Sequence, residues 1–375
     1  MKIGIEAQRL FRPHKHGMDI VALELIRALQ VIDSKNEYFV FVKADEDHTC
    51  LSETSNFHII QVPGGNYVFW EQVMLPIYAK KYGVDILHCT SNTAPMFLSM
   101  PLVLTLHDVI FMEKTSGKNT SSNYQKFGNL YRKWLVPKIV GKCQQIVTIS
   151  AVEQANISKV LGLNKDAIAV VHNGVSGRFG VKPSAETLNE VRNKLHLEED
   201  FFLFLGNVEP RKNVGNTVKA FVLFAKINPK VKLVITGLKQ SFVEDILNEI
   251  GEIDYLKRFV LAGFVEENVL LTLYAEAKVF LYPSLREGFG LPILEAMAFG
   301  TPVVTSNISA MPEVAGDAAF LVNPYSVEEI ATAMQTAYEN EALRKEKITL
   351  GYLRPSMFTW EKTAQKMLNI YQNGR

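Results

Sequence analysis

VFLYPSLREGFGLPILEAMAFGTPVVT, residues 279–305, is the stretch whose reading decides the fold. Val279–Tyr282 is an apolar run of strand length, Pro302–Thr305 is a second, and the segment between them has helical character. An apolar run, a glycine-rich turn, a helix and another apolar run together make a β-α-β unit of a parallel sheet. The turn, Glu287-Gly288-Phe289-Gly290-Leu291-Pro292, puts two glycines at a strand's exit and a proline near a first helical position. Glycine lets a ligand come close to the backbone, and the N–H groups of a helix start attract phosphate. Glu295 follows Glu287 by eight positions with helix between, so both carboxylates can flank one ligand. The pattern suits a phosphate-bearing molecule with hydroxyls on either side. A plain tight turn followed by a solvated glutamate is the competing reading. It loses weight because Glu287 sits where open α/β sheets place their ligands, and because Ala296, Met297 and Ala298 pack the helix closely on the sheet.

A chain of 375 residues has room for two domains of ordinary size. Its apolar content of 47% and charged content of 21% are those of a globular protein, and a net charge of +1 gives no overall pull toward nucleic acid. Cys50, Cys89 and Cys143 are far apart and lack metal-ligand spacing, which argues for a reducing compartment. The opening MKIGIEAQRL is too short in apolar residues for a signal peptide and reads as a strand, and no run approaches ~20 apolar residues. The expected location is the cytoplasm.

Strands are expected at Lys2–Ala7, Tyr38–Val42, His58–Val62, Asp85–His88, Leu102–Leu106, Gln145–Ser150 and Ala167–His172. A helix is expected from about Gly17, after a loop that is no G-x-G-x-x-G, so a nicotinamide dinucleotide is not expected there. Asp45-Glu46-Asp47 spells D-x-D, but in a polar loop, and reads as a solvated acidic turn rather than a metal site. His107 stands at a strand's C-terminal edge, placed to touch a ligand, with Asp108 to orient its ring or cap the next loop. Residues 123–142 interleave Tyr124, Phe127, Tyr131, Trp134 and Leu135 with Lys126, Arg132, Lys133, Lys138 and Lys142. Two readings stay open: a helix meeting anionic lipid headgroups, or an ordinary amphipathic helix with its aromatics in the core.

A second sheet restarts at Phe201–Leu205, and Pro210-Arg211-Lys212-Asn213 opens a helix with Asn213 as its N-cap. Arginine offers a fork and lysine a point charge, which suits a pyrophosphate clamp at Arg211 and Lys212; solvated surface charge is the competing reading, and the residues alone favour it. Further strands are expected at Lys232–Thr236, Phe259–Gly263 and Ala318–Val322, and a last helix at Thr359–Gln372. The organisation expected is a first domain at 1–175, a linker at 176–198, a second domain at 199–355 and a closing segment at 356–375.

The residues Pro283, Ser284, Glu287 to Pro292, Glu295-Ala296, Gly300 and Pro302-Val303-Val304 resemble the signature of the family-4 retaining glycosyltransferases. The resemblance implies the GT-B fold: two Rossmann-like, doubly wound parallel-sheet α/β domains facing a cleft, the last helix crossing back to the first domain. It implies that Glu287 touches the donor sugar and Glu295 the nucleotide ribose. Arg211, Lys212 and the backbone from Gly288 through Phe289 and Gly290 to Leu291 would hold the diphosphate. His107 would face the sugar, and Gly17 would lie close to the diphosphate and acceptor, although His16 stands where a second glycine is common. Trp70-Glu71-Gln72, Leu75-Pro76 and EPRKN are most similar to bacterial mannosyl- and rhamnosyltransferases of surface polysaccharides. The implied reaction is metal-free transfer, with retention, from a nucleoside-diphosphate sugar to a glycan or lipid-linked acceptor, with no cofactor. GDP-mannose is the favoured donor and UDP-sugars come next. A nucleotide-sugar epimerase and a silent binding module are the alternatives.

Overall fold

The computed structural model describes residues 1–113 and 123–373, with the side chains of 123–125 outside the described set. The chain divides into two compact units, Met1–Gly174 with Thr359–Arg375, and Val175–Phe358.

The first unit holds seven parallel strands: β1 Lys2–Glu6, β2 Glu37–Val42, β3 Phe57–Gln61, β4 Ile86–Cys89, β5 Leu102–Thr105, β6 Gln145–Thr148 and β7 Ile168–Val170. Their order is β3-β2-β1-β4-β5-β6-β7. Alternation along β2 shows why these runs are strands buried on both faces. Tyr38, Val40 and Val42 join one apolar cluster, and Phe39 and Phe41 join another.

The helix Trp360–Asn373 belongs to this unit. Trp360, Ala364, Met367, Leu368 and Tyr371 share a core with Leu25, Ile26 and Leu29 of the helix Gly17–Ile32. The Tyr371 hydroxyl meets His88 Nδ1 at 2.7 Å, and Thr105 Oγ1 meets Nε2 at 2.7 Å. Burial lowers the His88 pKa to about 3, so the ring is neutral and acts as a hydrogen-bonding staple. Gly174 lies so close to this helix that a Cβ there would stand 2.2 Å from the Trp360 nitrogen.

The second unit holds six parallel strands: β8 Phe201–Leu205, β9 Lys232–Thr236, β10 Phe259–Gly263, β11 Val279–Tyr282, β12 Val303–Ser306 and β13 Phe320–Val322. Their order is β10-β9-β8-β11-β12-β13. Phe202, Phe204, Leu233, Ile235, Val279 and Leu281 face one core, which Phe221, Phe224 and Met334 complete from the helices Val214–Ile227 and Val327–Glu339.

Two expected boundaries move. Residues 176–198 count with the second unit, and Gly180 lies against the Ala298 carbonyl. Arg178 pairs with Glu267, and the helix Ala185–Lys194 carries Arg192 to Glu276 at 3.0 Å. The second unit also runs past 355, since the helix Glu341–Met357 continues through Pro355 and ends at Phe358. The run Tyr67–Lys81, not assigned from sequence, is a chain of short helical pieces with a π turn at Trp70–Met74.

Candidate active site

In the second sheet the strand order reverses between β8 and β11, and the loops leaving these neighbours lie side by side. The loop after β8 forms a 3-10 turn, Pro210–Lys212, and hands over to a helix at Asn213. Asn213 holds the N-cap position but does not cap with its side chain. With a φ of 59°, it sends Nδ2 to the carbonyls of Pro283 (2.9 Å) and Pro324 (2.7 Å), tying the loops together. The N–H of Leu285 donates to the Arg211 carbonyl at 2.7 Å and closes the same seam.

This stitching brings three charged residues from distant sequence into contact. Lys212 Nζ meets Glu287 Oε1 at 2.7 Å, and Arg211 Nη1 meets Oε2 at 2.7 Å. Lys212 also donates to the Tyr282 hydroxyl at 3.1 Å, its ammonium 4.9 Å above that ring. Glu287 is 8% exposed. Burial by itself would push its pKa up; Lys212 and Arg211 beside it hold the carboxyl below its ordinary value, so it stays ionised. The outer edge of Arg211 carries a second carboxylate, Glu209, with Nη2 to Oε2 at 2.6 Å. Ser309, in the loop after β12, fixes the Glu287 backbone by accepting from its N–H (3.1 Å) and donating to its carbonyl (2.8 Å).

The glycine turn follows. Gly290 has a φ of +117°, which a side chain would strain, and it caps the helix Leu291–Ala298, with Leu291 as first residue. The Phe289 ring is buried edge-on to Phe358 and cannot face a ligand; together with Gly288, its backbone is what it can offer. Glu295 does not share the cation cluster. Its carboxylate accepts from the Tyr274 hydroxyl at 2.9 Å, and burial raises its pKa to about 7.

The first sheet reverses between β1 and β4, and its strand-exit edge gathers buried polar side chains: Glu6, Gln8, Thr90, Asn92 and His107. His107 donates from Nε2 to the Thr90 carbonyl at 2.7 Å, and its backbone N–H donates to Asn92 Oδ1 at 2.6 Å. Burial lowers its pKa, so the ring is neutral and Nδ1 is its acceptor. Asp108 does not hold the ring; it accepts from the Ile110 N–H at 3.0 Å and caps the next loop. Gly17 opens the helix Gly17–Ile32 with open space where a Cβ would stand, and His16 fills the N-cap position. Arg9 pairs with Asp19 at 3.3 Å beside it. Asp47 of the D-x-D run pairs with Lys15.

The Trp70-Glu71-Gln72 run is a buried polar hub. Glu71 accepts from the hydroxyls of Tyr67, Thr93 and Tyr131, and Gln72 Nε2 donates to the Ala94 carbonyl at 3.1 Å. Tyr131 is therefore turned inward, while Phe127, Leu130 and Trp134 of the same helix, Asn123–Ile139, are exposed.

Residues 16–176 match the family model Glycosyltransferase Family 4, and residues 185–353 match the model Glycosyl transferases group 1. Between them the two models take in most of the chain, so both of its halves are similar to glycosyltransferases of this family. The chain is 30% identical over 229 residues to O-antigen chain mannosyltransferase B of Escherichia coli, covering 60% of each chain. It is 30% identical over 241 residues to the serotype-specific mannosyltransferase WbdA of Escherichia coli, covering 62% of this chain and 29% of that one. The matched segments thus span less than two thirds of these relatives. Among solved structures, a glycosyltransferase from Rickettsia africae aligns with a TM-score of 0.76 at 17% identity, covering 100% and 98% of the two chains. Anabaena HepE, solved with UDP and glucose, aligns at 0.74 with 19% identity over 99% of each. These likenesses establish the GT-B fold, two Rossmann-like domains.

Proposed function

We propose that this protein transfers a sugar, with mannose from GDP-mannose as the first candidate, from a nucleoside-diphosphate sugar to a hydroxyl of a glycan or lipid-linked acceptor of the cell envelope. The observation that carries this reading is the Arg211–Lys212–Glu287 cluster at the β8/β11 switch point. Two oriented, partly desolvated cations suit a diphosphate leaving group, whose negative charge grows as the bond to the sugar breaks. They supply this charge from the chain itself, so the reading needs no metal and no cofactor. Glu287 accepts from donor-sugar hydroxyls, Glu295 from the ribose, and the backbone from Gly288 to Leu291 lies at the phosphates. In the first unit, His107 is the residue proposed to meet sugar hydroxyls, through Nδ1, and Gly17 leaves room beside the helix start. Retention is assigned to front-face attack, with the leaving phosphate accepting the acceptor's proton.

The names of the relatives support a mannosyl donor, and HepE's UDP keeps uridine nucleotides in view. The exposed face of the helix Asn123–Ile139 supports contact with a membrane surface at the cytoplasmic side, where a lipid-linked acceptor resides. Residues 123–142 contain basic residues and no acidic one. No helix among the described residues is long and apolar enough to cross a membrane.

The test is thermal stabilisation by GDP, UDP, ADP and their sugar conjugates, with and without EDTA. At 100 times Kd a bound nucleotide adds about 2.7 kcal/mol, a shift of several degrees. Stabilisation by one base, unchanged by EDTA, is the expected result. No shift with any nucleotide removes the donor site, and a shift abolished by EDTA removes the metal-free reading.

A further inference from the structure

Arg211 has two carboxylate partners of different character. Glu287 is buried, and its oxygens are shared with Lys212. The Glu209 side chain as a whole is 43% exposed, with the Oε2 that meets Arg211 covered. Its backbone is pinned without help from its carboxylate: its N–H donates to Asn207 Oδ1 at 3.0 Å, and its carbonyl accepts from the Lys212 N–H at 2.9 Å. The carboxylate can therefore leave Arg211 for water at little cost, while the Glu287 carboxylate cannot. The four side chains Glu209, Arg211, Lys212 and Glu287 sum to zero charge. A diphosphate entering this cluster brings at least two negative charges, and one resident anion must give way. By exposure, that anion is Glu209.

We propose that Glu209 is a positioning residue that exchanges with the diphosphate on the Nη2 edge of Arg211, and so sets how fast the nucleoside diphosphate product leaves. The proposal rests on the donor-site reading above. When the donor binds, Glu209 turns to solvent and a phosphate oxygen takes its place. After transfer, Glu209 returns to the guanidinium and stabilises the vacated site, which weakens the hold on product. Asn207 adds no cation to the cluster.

The experiment is titration of GDP and of UDP into wild type, Glu209→Gln and Glu209→Ala, with dissociation rates measured on immobilised protein. Because Glu209 is half exposed and its backbone bonds persist, both variants should melt within about 2 degrees of wild type. The nucleotide that binds wild type should bind both variants about three- to tenfold more tightly, with slower dissociation. A residue that merely holds Arg211 in place gives the opposite sign: looser binding and faster loss of nucleotide. Looser or unchanged binding in both variants overturns the proposal and leaves the donor site standing. If neither nucleotide binds wild type, the donor-site reading falls, and this inference with it.

Discussion

At the scale of single residues, the two glutamates of the E-x7-E pair have been given opposite protonation chemistry by their neighbours. Glu287 sits between two cations and remains ionised; Glu295 sits against a tyrosine hydroxyl with its pKa raised to about 7. Glu287→Gln leaves Arg211 and Lys212 without their buried anion. The variant should lose about 1–3 kcal/mol of stability. It should still bind nucleoside diphosphate, and its turnover should fall about a hundredfold through lost sugar positioning. Turnover against binding, measured on one preparation, checks this. For Glu295 the sign runs the other way from a paired carboxylate. A pKa raised on folding contributes stability that is fully present below the unfolded value near 4.5 and is lost as pH rises through about 7. Glu295→Gln should therefore gain in melting temperature relative to wild type between pH 5.5 and 8.5. A flat difference across that range would show that Glu295 does not titrate there. The placing of these glutamates on one strand, turn and helix could be read from sequence because the three are contiguous; the roles proposed for them rest on the resemblance. Their partners could not be read there. Arg211 and Glu287 are 76 residues apart, and the pairing of β8 with β11 and the stitching of the loops that follow join them. Ser309 carried no local signal, and Glu209 entered only as the first residue of EPRKN.

At the scale of elements, the helix Asn123–Ile139 answers the question its composition left open by facing two ways. Tyr131 turns inward to Glu71, and Leu135 and Ile139 are buried. Phe127 and Trp134 stay in water at 60% and 52% exposure, with the Lys138 ammonium 3.7 Å above the Trp134 ring. Beside them Phe97 is 78% exposed under Lys142. Aromatic rings with ammonium groups over them, and no acidic neighbour on the helix, fit an anionic bilayer surface. Wild type should sediment with vesicles containing anionic lipid and stay in solution with zwitterionic ones. Trp134→Glu with Lys138→Glu should abolish the difference without lowering the melting temperature. Equal sedimentation of wild type with both vesicle types would remove the membrane reading. The sequence pattern placed lysines and aromatics correctly but not the direction of each face, because a helix this rich in aromatics has no single apolar stripe. In the same way, glycines and a proline at 177–183 signalled a loop and concealed that it is packed. Gly180 lies against the Ala298 carbonyl, and Arg178 pairs with Glu267.

At the scale of the whole molecule, two α/β units account for every strand expected from sequence, since apolar runs buried on both faces are legible without knowledge of partners. What sequence could not give is the strand order, which is a matter of long-range pairing. The first unit is also discontinuous: its core includes Trp360, Met367, Leu368 and Tyr371, which follow the entire second unit. Ending the chain at Phe358 should remove apolar burial worth about 1.5–3 kcal/mol per large side chain, comparable to the total stability of a domain. The truncated protein should leave the first unit open to protease while Val175–Phe358 survives as a resistant fragment; equal resistance of both would show that the helix is dispensable. This discontinuity has a consequence during synthesis. As the chain emerges, the face formed by Leu25, Ile26 and Leu29 has no cover until all of Val175–Phe358 has been translated. At 5–20 residues per second that is a wait of roughly 10–40 s. The second unit, contiguous in sequence, can finish folding first, and the nascent first unit is the part that a ribosome-associated chaperone would have to shield.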